Sequence, residues 1–364
     1  MSLTCGLVGL PNAGKSTLFR AITAAPAEIA PYPFTTIAPN VGMARVPDPR
    51  LDGIARITHP KRVVPATLEV IDLAGLVRNA HKGEGLGNQF LARIREVDAL
   101  IHVVRCFHGD VPHVEGTVDP LRDIGIVDTE LLLADLGAIE RARTHTAPRA
   151  RAGERGARDQ DQALAHLEAH LGAGNPARTC ALPSGGPASA APGYGQLLTA
   201  RPVLYVANLS EEDLAGGPCL EAVAGHAARE GAAAVGICAQ LEMELAELPD
   251  AEAAEFLASL GVAERALPRL IRACESLLNL RTFFSIASDE VRAWPVPAGT
   301  RASQAAGRIH SDMERGFIRA ELVAYADLVA CGSIASARER GAIRLEGRDY
   351  EVQDGDVITF RFAT

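Results

Sequence analysis

The segment GLPNAGKST at residues 9–17 constrains the fold more than any other part of the chain. It fits the phosphate-loop pattern of Gly, four residues, Gly, Lys and Ser or Thr. The apolar run at 5–10 predicts a buried strand before this loop, and residues 16–22 predict a helix directly after it. Strand, loop and helix in this order predict an α/β fold that holds a polyphosphate at a helix N-terminus, rather than an ordinary glycine-rich turn.

The same loop supplies the first set of candidate binding residues. Backbone N–H groups of the loop can point at phosphate oxygens, because glycine tolerates the unusual dihedral angles that this requires. Lys15 is expected to reach the β- and γ-phosphates, and Ser16 to offer its hydroxyl to Mg²⁺. The predicted phosphate contacts are Asn12, Ala13, Gly14, Lys15, Ser16 and Thr17.

Two further segments predict the rest of a nucleotide switch. The proline-punctuated loop at 30–40 carries Thr36, which we favour over Thr35 as a Mg²⁺ ligand, although both can be ordinary turn threonines. The β-rich run at 67–76 ends in Asp-x-x-Gly. Asp72 is expected to hold the metal through water, and Gly75 to donate its N–H to the γ-phosphate.

The group that positions the attacking water is less obvious. Ras-like enzymes carry a glutamine at the position of Leu76, and leucine neither donates nor accepts a hydrogen bond. His81, Glu84 and Asn88 lie on a glycine-flanked segment, and each fits a structural role better than a catalytic one. His81 is the candidate we select, since imidazole can act near neutral pH. The predicted catalytic residues are therefore Lys15, Gly75 and His81.

The base is expected to bind at the end of a later strand. The runs at 99–107 and 203–208 are apolar enough to be central strands, and the second ends in NLSE at 208–211. A GTPase has an aspartate where this chain has Glu211, and a carboxylate that recognises guanine repels the N1 acceptor of adenine. With Asn208 on the base edge and Leu209 packed on its face, the segment favours ATP over GTP.

Composition narrows the remaining functions. The net charge of −9 excludes a strong overall attraction to nucleic acid or an anionic membrane, and no run of eighteen apolar residues or charged-then-apolar leader occurs. Residues 141–158 hold six arginines against Glu154, on a predicted helical hairpin formed by 128–143 and 160–171. This arginine-rich part of the hairpin can contact RNA phosphates or can simply be a solvated helix face. The 7 cysteines show no zinc-like spacing or close pairing, which favours a reduced cytoplasm.

Together the motifs resemble the YchF subfamily of Obg-like ATPases, in the TRAFAC class of P-loop proteins, almost from end to end. The resemblance implies an α/β P-loop core with a mostly parallel sheet at 1–127 and 198–280. It also implies an inserted α-helical hairpin at 128–197 and a C-terminal α+β ubiquitin-like β-grasp (TGS) domain at 281–364. The shared motifs are GLPNAGKST, PFTT at 33–36, DLAGLV at 72–77, GEGLGN at 83–88, NLSE and the tail DGDV at 354–357.

The leading hypothesis from the sequence is a cytoplasmic, monomeric ATPase switch that needs Mg²⁺ and takes the ribosome as its partner, with contact to ribosomal RNA left open. The alternatives are a GTP-specific translational GTPase, or a nucleotide-gated binding protein with incidental turnover. K⁺ is a further candidate ion, held beside the phosphates by the side chain of Asn12.

Overall fold

The structure is a computed structural model that describes residues 3–23, 40–73, 86–109, 111–182, 191, 193–262, 264–287 and 289–363, with the backbone alone at 86–89 and 250. These residues form two compact units. One comprises the described residues of 3–43 and 69–274, and the other those of 44–68 and 275–363.

Strands and helices are numbered separately in chain order. The strands are β1 Thr4–Val8, β2 Val41–Arg45, β3 Arg62–Val64, β4 Thr67–Asp72, β5 Ala99–Cys106, β6 Val203–Leu209, β7 Ala233–Ile237, β8 Leu280–Ile286, β9 Glu290–Pro297, β10 Phe317–Ala324, β11 Arg344–Glu346 and β12 Asp356–Phe362. The helices are α1 Lys15–Thr23, α2 Pro49–Thr58, α3 Leu86–Glu96, α4 Pro120–Arg151, α5 Ala157–Gly172, α6 Pro218–Arg229, α7 Ala239–Ala246, α8 Asp250–Ser259, α9 Ala266–Leu277, α10 Ala302–Ile309, α11 Ser311–Arg315, α12 Tyr325–Cys331 and α13 Ile334–Glu339.

The larger unit is built on a six-stranded sheet in the order β2-β4-β1-β5-β6-β7. Strands β4, β1, β5, β6 and β7 pair in parallel. Every residue of β5 and β6 is buried, as expected for central strands with helices on both faces. The carboxyl ends of β1, β4, β5 and β6 therefore meet at one edge, where ligands of open α/β sheets bind.

Within this unit, a helical hairpin is inserted between β5 and β6, as the sequence predicted. Its helices α4 and α5 are both longer than the predicted 128–143 and 160–171. The first begins at Pro120 because the Asp119 side chain accepts a hydrogen bond from the N–H of Arg122 and proline suits the first helical position. Apolar side chains of both helices share one core, formed around Leu132, Ile139, Leu164, Leu167 and Leu171.

One buried carboxylate fixes the base of the hairpin. Asp135 on α4 is fully buried and accepts hydrogen bonds from the N–H groups of Leu198 and Thr199, both at 2.8 Å. The hydroxyl of Thr199 donates a third bond at 2.7 Å. Three donors compensate for the cost of burying this charge, so Asp135 holds the returning chain against α4.

The smaller unit contains a mixed sheet in the order β11-β10-β12-β8-β9-β3. Strands β8 and β12 pair in parallel at its centre, with antiparallel neighbours β9 and β10 on either side. Helix α10 lies on this sheet through Ala302, Ala305 and Ala306, whose small side chains allow a close approach. This arrangement of strands and helix agrees with the predicted α+β C-terminal domain.

Two details of this unit differ from what the sequence indicates. The sequence pattern at 302–317 indicates a single helix, but α10 ends at Ile309, the short helix α11 follows, and Phe317 already begins β10. Residues 44–68 supply α2 and β3 to this unit, and β3 pairs in parallel with β9. The domain boundaries given above remain our proposal.

The fold-class prediction is confirmed: a P-loop core with a mostly parallel sheet, an inserted helical hairpin and a C-terminal domain of strands and helices. Among the described residues, no helix combines the length and the apolar character needed to cross a lipid bilayer.

Candidate nucleotide site

The phosphate loop lies between β1 and α1, where the sequence placed it. Three of its residues have positive φ, namely Gly9 at 146°, Asn12 at 64° and Gly14 at 93°. A Cβ on Gly9 would collide with the carbonyl oxygen of Val103, and one on Gly14 with the side-chain amide of Asn208. Glycine is required at both positions by close packing as well as by dihedral angle.

Lys15 is buried and folds back over the loop. Its ammonium group donates to the carbonyl oxygens of Gly9 at 3.1 Å and Leu10 at 2.7 Å. Burial lowers the pKa of Lys15 to about 8, and the charge of Asp72 opposes this effect. A strong cation in a poorly solvated position is suited to phosphate oxygens, which carry more negative charge than carbonyl groups.

Ser16 and Asp72 come together although 56 residues separate them. The Ser16 hydroxyl donates to Oδ2 of Asp72 at 2.9 Å. The pairing of β1 with β4 sets Leu7 opposite Asp72, which brings this carboxylate to the start of α1. The donors at this point are all oxygen atoms, as Mg²⁺ prefers, so the described residues fit that ion.

Asn208 links two loops instead of projecting freely into the site. It is buried, and its amide nitrogen donates to the carbonyl oxygen of Ala13 at 3.0 Å. Its side-chain oxygen accepts from the N–H of Ala239, the first residue of α7, at 3.1 Å. Asn208 thus braces the phosphate loop against the loop that follows β7, and its contact with the base edge stays a prediction.

The other predicted residues are placed as follows. Leu209 ends β6 and is packed in the core, while Glu211 is exposed at the start of the short helix Glu211–Asp213. Thr17 is half-buried in the first turn of α1. Thr36, Gly75 and His81 lie outside the described residues, as does Leu76, so the switch segments stay predictions.

One residue of this region, Arg105, was not predicted from the sequence. This buried arginine lies next to the end of β5, opposite Asn208, and its guanidinium donates to the carbonyl oxygens of Val111 at 2.7 Å and Asn12 at 3.4 Å. It also lies 4.5 Å from the ring centre of Phe107. The sequence feature that could have indicated a role for Arg105 is a charged residue within a mostly apolar predicted strand.

The cysteine spacing suggested reduced thiols, but two of the cysteines are paired in the structure. Cys106 at the end of β5 and Cys219 on α6 form a disulfide, with a sequence separation of 113 and Cα atoms 5.8 Å apart. Nothing in their spacing indicated this, because the tertiary fold alone brings β5 and α6 together. Cys5, Cys180, Cys238, Cys274 and Cys331 are free thiols.

The phosphate loop connects the first strand and the first helix of a mostly parallel sheet. Its lysine is buried, and its serine contacts the aspartate at the end of a neighbouring strand. These features define a P-loop nucleotide-binding protein. Two family models match the chain: "50S ribosome-binding GTPase" at residues 4–143, and YchF-GTPase_C, described as "Protein of unknown function (DUF933)", at 280–363.

Full-length relatives identify the family. The chain is 49% identical over 363 residues to the ribosome-binding ATPase YchF of Haemophilus influenzae, covering 100% of this chain and 99% of that protein. It is 48% identical over 366 residues to the protein of the same name from Bacillus subtilis, with 100% of both covered. The solved structure of the Schizosaccharomyces pombe YchF GTPase matches with a TM-score of 0.87 and 34% identity, covering 99% of this chain and 98% of that one. The chain belongs to the YchF family.

Proposed function

We propose that this protein is a ribosome-associated ATPase that binds and slowly hydrolyses ATP with Mg²⁺, and whose nucleotide state changes its affinity for ribosomes. The observation that carries the proposal is the convergence of Lys15, Ser16 and Asp72 at the N-terminus of α1. The names of the Haemophilus and Bacillus relatives support both the nucleotide and the partner.

The phosphates would contact the backbone N–H groups of the loop, and Lys15 would exchange its two carbonyl partners for phosphate oxygens. Ser16 and Asp72, with Thr36 as predicted from sequence, would hold Mg²⁺. When bound, Mg²⁺ neutralises charge on the β- and γ-phosphates. Asn12 keeps its side-chain oxygen available for K⁺, since its amide nitrogen donates to the carbonyl of Pro112 at 3.1 Å.

The hydrolytic step is proposed to use Lys15 on the transferred phosphoryl group, the N–H of Gly75 on the γ-phosphate and His81 to position water. Leucine at position 76 cannot serve that last role. A His81→Ala variant is expected to lose hydrolysis and keep ATP affinity. Unchanged hydrolysis, with and without ribosomes, would remove His81 from the proposal.

ATP is proposed over GTP because Glu211 stands where a guanine-reading aspartate is expected. A GTP-specific switch is the second candidate, favoured by the word GTPase in the names of the matching family model and of the S. pombe protein. Equilibrium titration of the purified chain with ATP and with GTP, each with Mg²⁺, separates the two. Tighter binding of GTP would overturn the inference from Glu211.

The ribosomal partner would place the protein in the cytoplasm, as a monomer in the free state. The arginine-rich part of the hairpin, residues 141–158, is the proposed contact with ribosomal RNA. Pelleting with purified ribosomes should depend on whether a non-hydrolysable ATP analogue or ADP is present. Association that does not depend on nucleotide would refute the switch, and no stimulation of hydrolysis by ribosomes would favour a nucleotide-gated binding protein.

A further inference from the structure

A second cluster of ionisable side chains lies away from the phosphate loop, between α4 and α6. Asp128 comes from α4, His226 from α6, and Glu230 from the residue that caps the end of α6. One ligand atom of each lies within 4.8 Å of the other two. The three side chains are partly buried, with 12 to 21% of their surface exposed.

The separations within this cluster are close to those around a small metal ion. Nε2 of His226 lies 3.5 Å from Oε1 of Glu230 and 3.9 Å from Oδ2 of Asp128. Nitrogen and oxygen ligands about 2.0–2.1 Å from a tetrahedral Zn²⁺ are roughly 3.4 Å apart. His226 and Glu230 are four residues apart, so the helix brings both to one face. Small side-chain rotations would bring Asp128 to the same distance.

The neighbouring groups orient one of these ligands. The second oxygen of Glu230, Oε2, accepts hydrogen bonds from Arg178 at 2.5 Å and from the Tyr205 hydroxyl at 3.0 Å. Its first oxygen, Oε1, is left facing His226. A metal-bound carboxylate is commonly held in this way, with one oxygen on the ion and the other on a donor.

Asp128 lacks a comparable partner. Within the described part of the chain, its nearest basic nitrogen is Nε2 of His226 at 3.9 Å, beyond hydrogen-bond distance. Two carboxylates therefore share one imidazole and one guanidinium in a poorly solvated place. With a neutral imidazole, such an arrangement leaves one negative charge without a counterion, and a bound cation would compensate it.

We propose that Asp128, His226 and Glu230 bind a first-row transition-metal dication, with Zn²⁺ as the reference ion. The imidazole ligand favours such an ion over Mg²⁺ or Ca²⁺, which prefer all-oxygen sites. The Tyr205 hydroxyl, 3.3 Å from Nε2 of His226, or a water would complete the coordination. The ion would join the first helix of the hairpin to α6 and so anchor the hairpin to the sheet.

The competing account is that a protonated His226 bridges the two carboxylates without any metal. The test uses the full-length protein, freed of metal and nucleotide, and titrated with Zn²⁺ against a chromogenic chelator. The site variants are Asp128→Asn and His226→Gln. The control is His145→Gln, which removes an exposed imidazole from α4, the helix that carries Asp128. Because free thiols also bind Zn²⁺, the two site variants, which keep every thiol, define the background binding, and the wild-type protein and the control report the site.

The proposal predicts that the wild type and the His145→Gln control each bind one equivalent of Zn²⁺ with the same affinity. Each site variant should bind this equivalent at least about tenfold more weakly. Visible absorption of Co²⁺ bound in place of Zn²⁺ should weaken in the same two variants. Zn²⁺ should also slow hydrogen exchange of α4 and α6 in the wild type and not in Asp128→Asn.

Equal Zn²⁺ affinity and stoichiometry in all four proteins would overturn the proposal, as would the absence of any Zn²⁺ binding by the wild type. If His226→Gln does not fold, Asp128→Asn decides alone. That change conserves shape, and the described structure gives the Asp128 side chain no hydrogen bond to lose.

Discussion

Replacing Asn208 by alanine tests whether this residue holds the nucleotide loops together. The change removes the donor to Ala13 at 3.0 Å and the acceptor of the Ala239 N–H at 3.1 Å. Each buried backbone group left without a partner costs about 1–3 kcal/mol. With two such groups, the free energy of unfolding should fall by about 2–6 kcal/mol. If ATP binding must also order one of the loosened loops, at a cost of about 1.4 kcal/mol, the affinity for ATP should fall about tenfold.

Urea denaturation followed by circular dichroism measures the stability, and hydrogen exchange locates the effect. Exchange should accelerate in the phosphate loop and at the start of α7. Asn208→Asp is the informative second variant, because it keeps the acceptor for Ala239 and sets a carboxylate against the Ala13 carbonyl oxygen. Asn175→Ala, at an exposed asparagine, is the matched control. Wild-type stability and exchange in Asn208→Ala would refute the bracing role.

Three other predictions follow from buried charges. Asp135→Ala should lower the free energy of unfolding by about 3 kcal/mol or more, because three donors lose their acceptor. Urea denaturation measures this, and the control Glu140→Ala on the same helix should leave the stability unchanged. Lys15 has its pKa lowered from 10.5 to about 8, so the unfolded chain binds more protons between these values. The stability of the nucleotide-free protein should thus rise by about 3 kcal/mol from pH 8 to 10.5 relative to Lys15→Met, and an equal pH profile of the two proteins would contradict this. Arg105→Lys keeps the charge and loses the fork of carbonyl contacts, so ATP should bind about tenfold more weakly by titration, whereas Arg93→Lys should bind normally.

The phosphate loop and its flanking elements were predictable because local signals agree there. Glycines, an apolar run and a helix start occur in one short segment, and β1 and α1 lie where these signals indicated. The pairing of Ser16 with Asp72 also followed, since adjacent parallel strands bring their carboxyl ends together. Where sequence and structure agree, short-range chemistry decides the conformation.

The failures come from interactions between distant residues. The strand Phe317–Ala324 was not predicted, because its composition does not indicate a strand and its pairing with β11 and β12 involves residues far along the chain. The disulfide between Cys106 and Cys219 depends on the packing of α6 beside β5, which no spacing reveals. The contacts of Asn208 with Ala13 and Ala239 were not predicted, because they depend on two loops that only the tertiary fold brings together; its contact with the base edge stays a prediction.

The most direct test of the central claim is phosphate release from ATP and from GTP by the full-length protein with Mg²⁺, measured alongside Lys15→Ala. We predict that ATP is hydrolysed in preference to GTP, that ribosomes accelerate the reaction, and that Lys15→Ala abolishes it. Faster hydrolysis of GTP, or undiminished ATP hydrolysis by Lys15→Ala, would contradict the account.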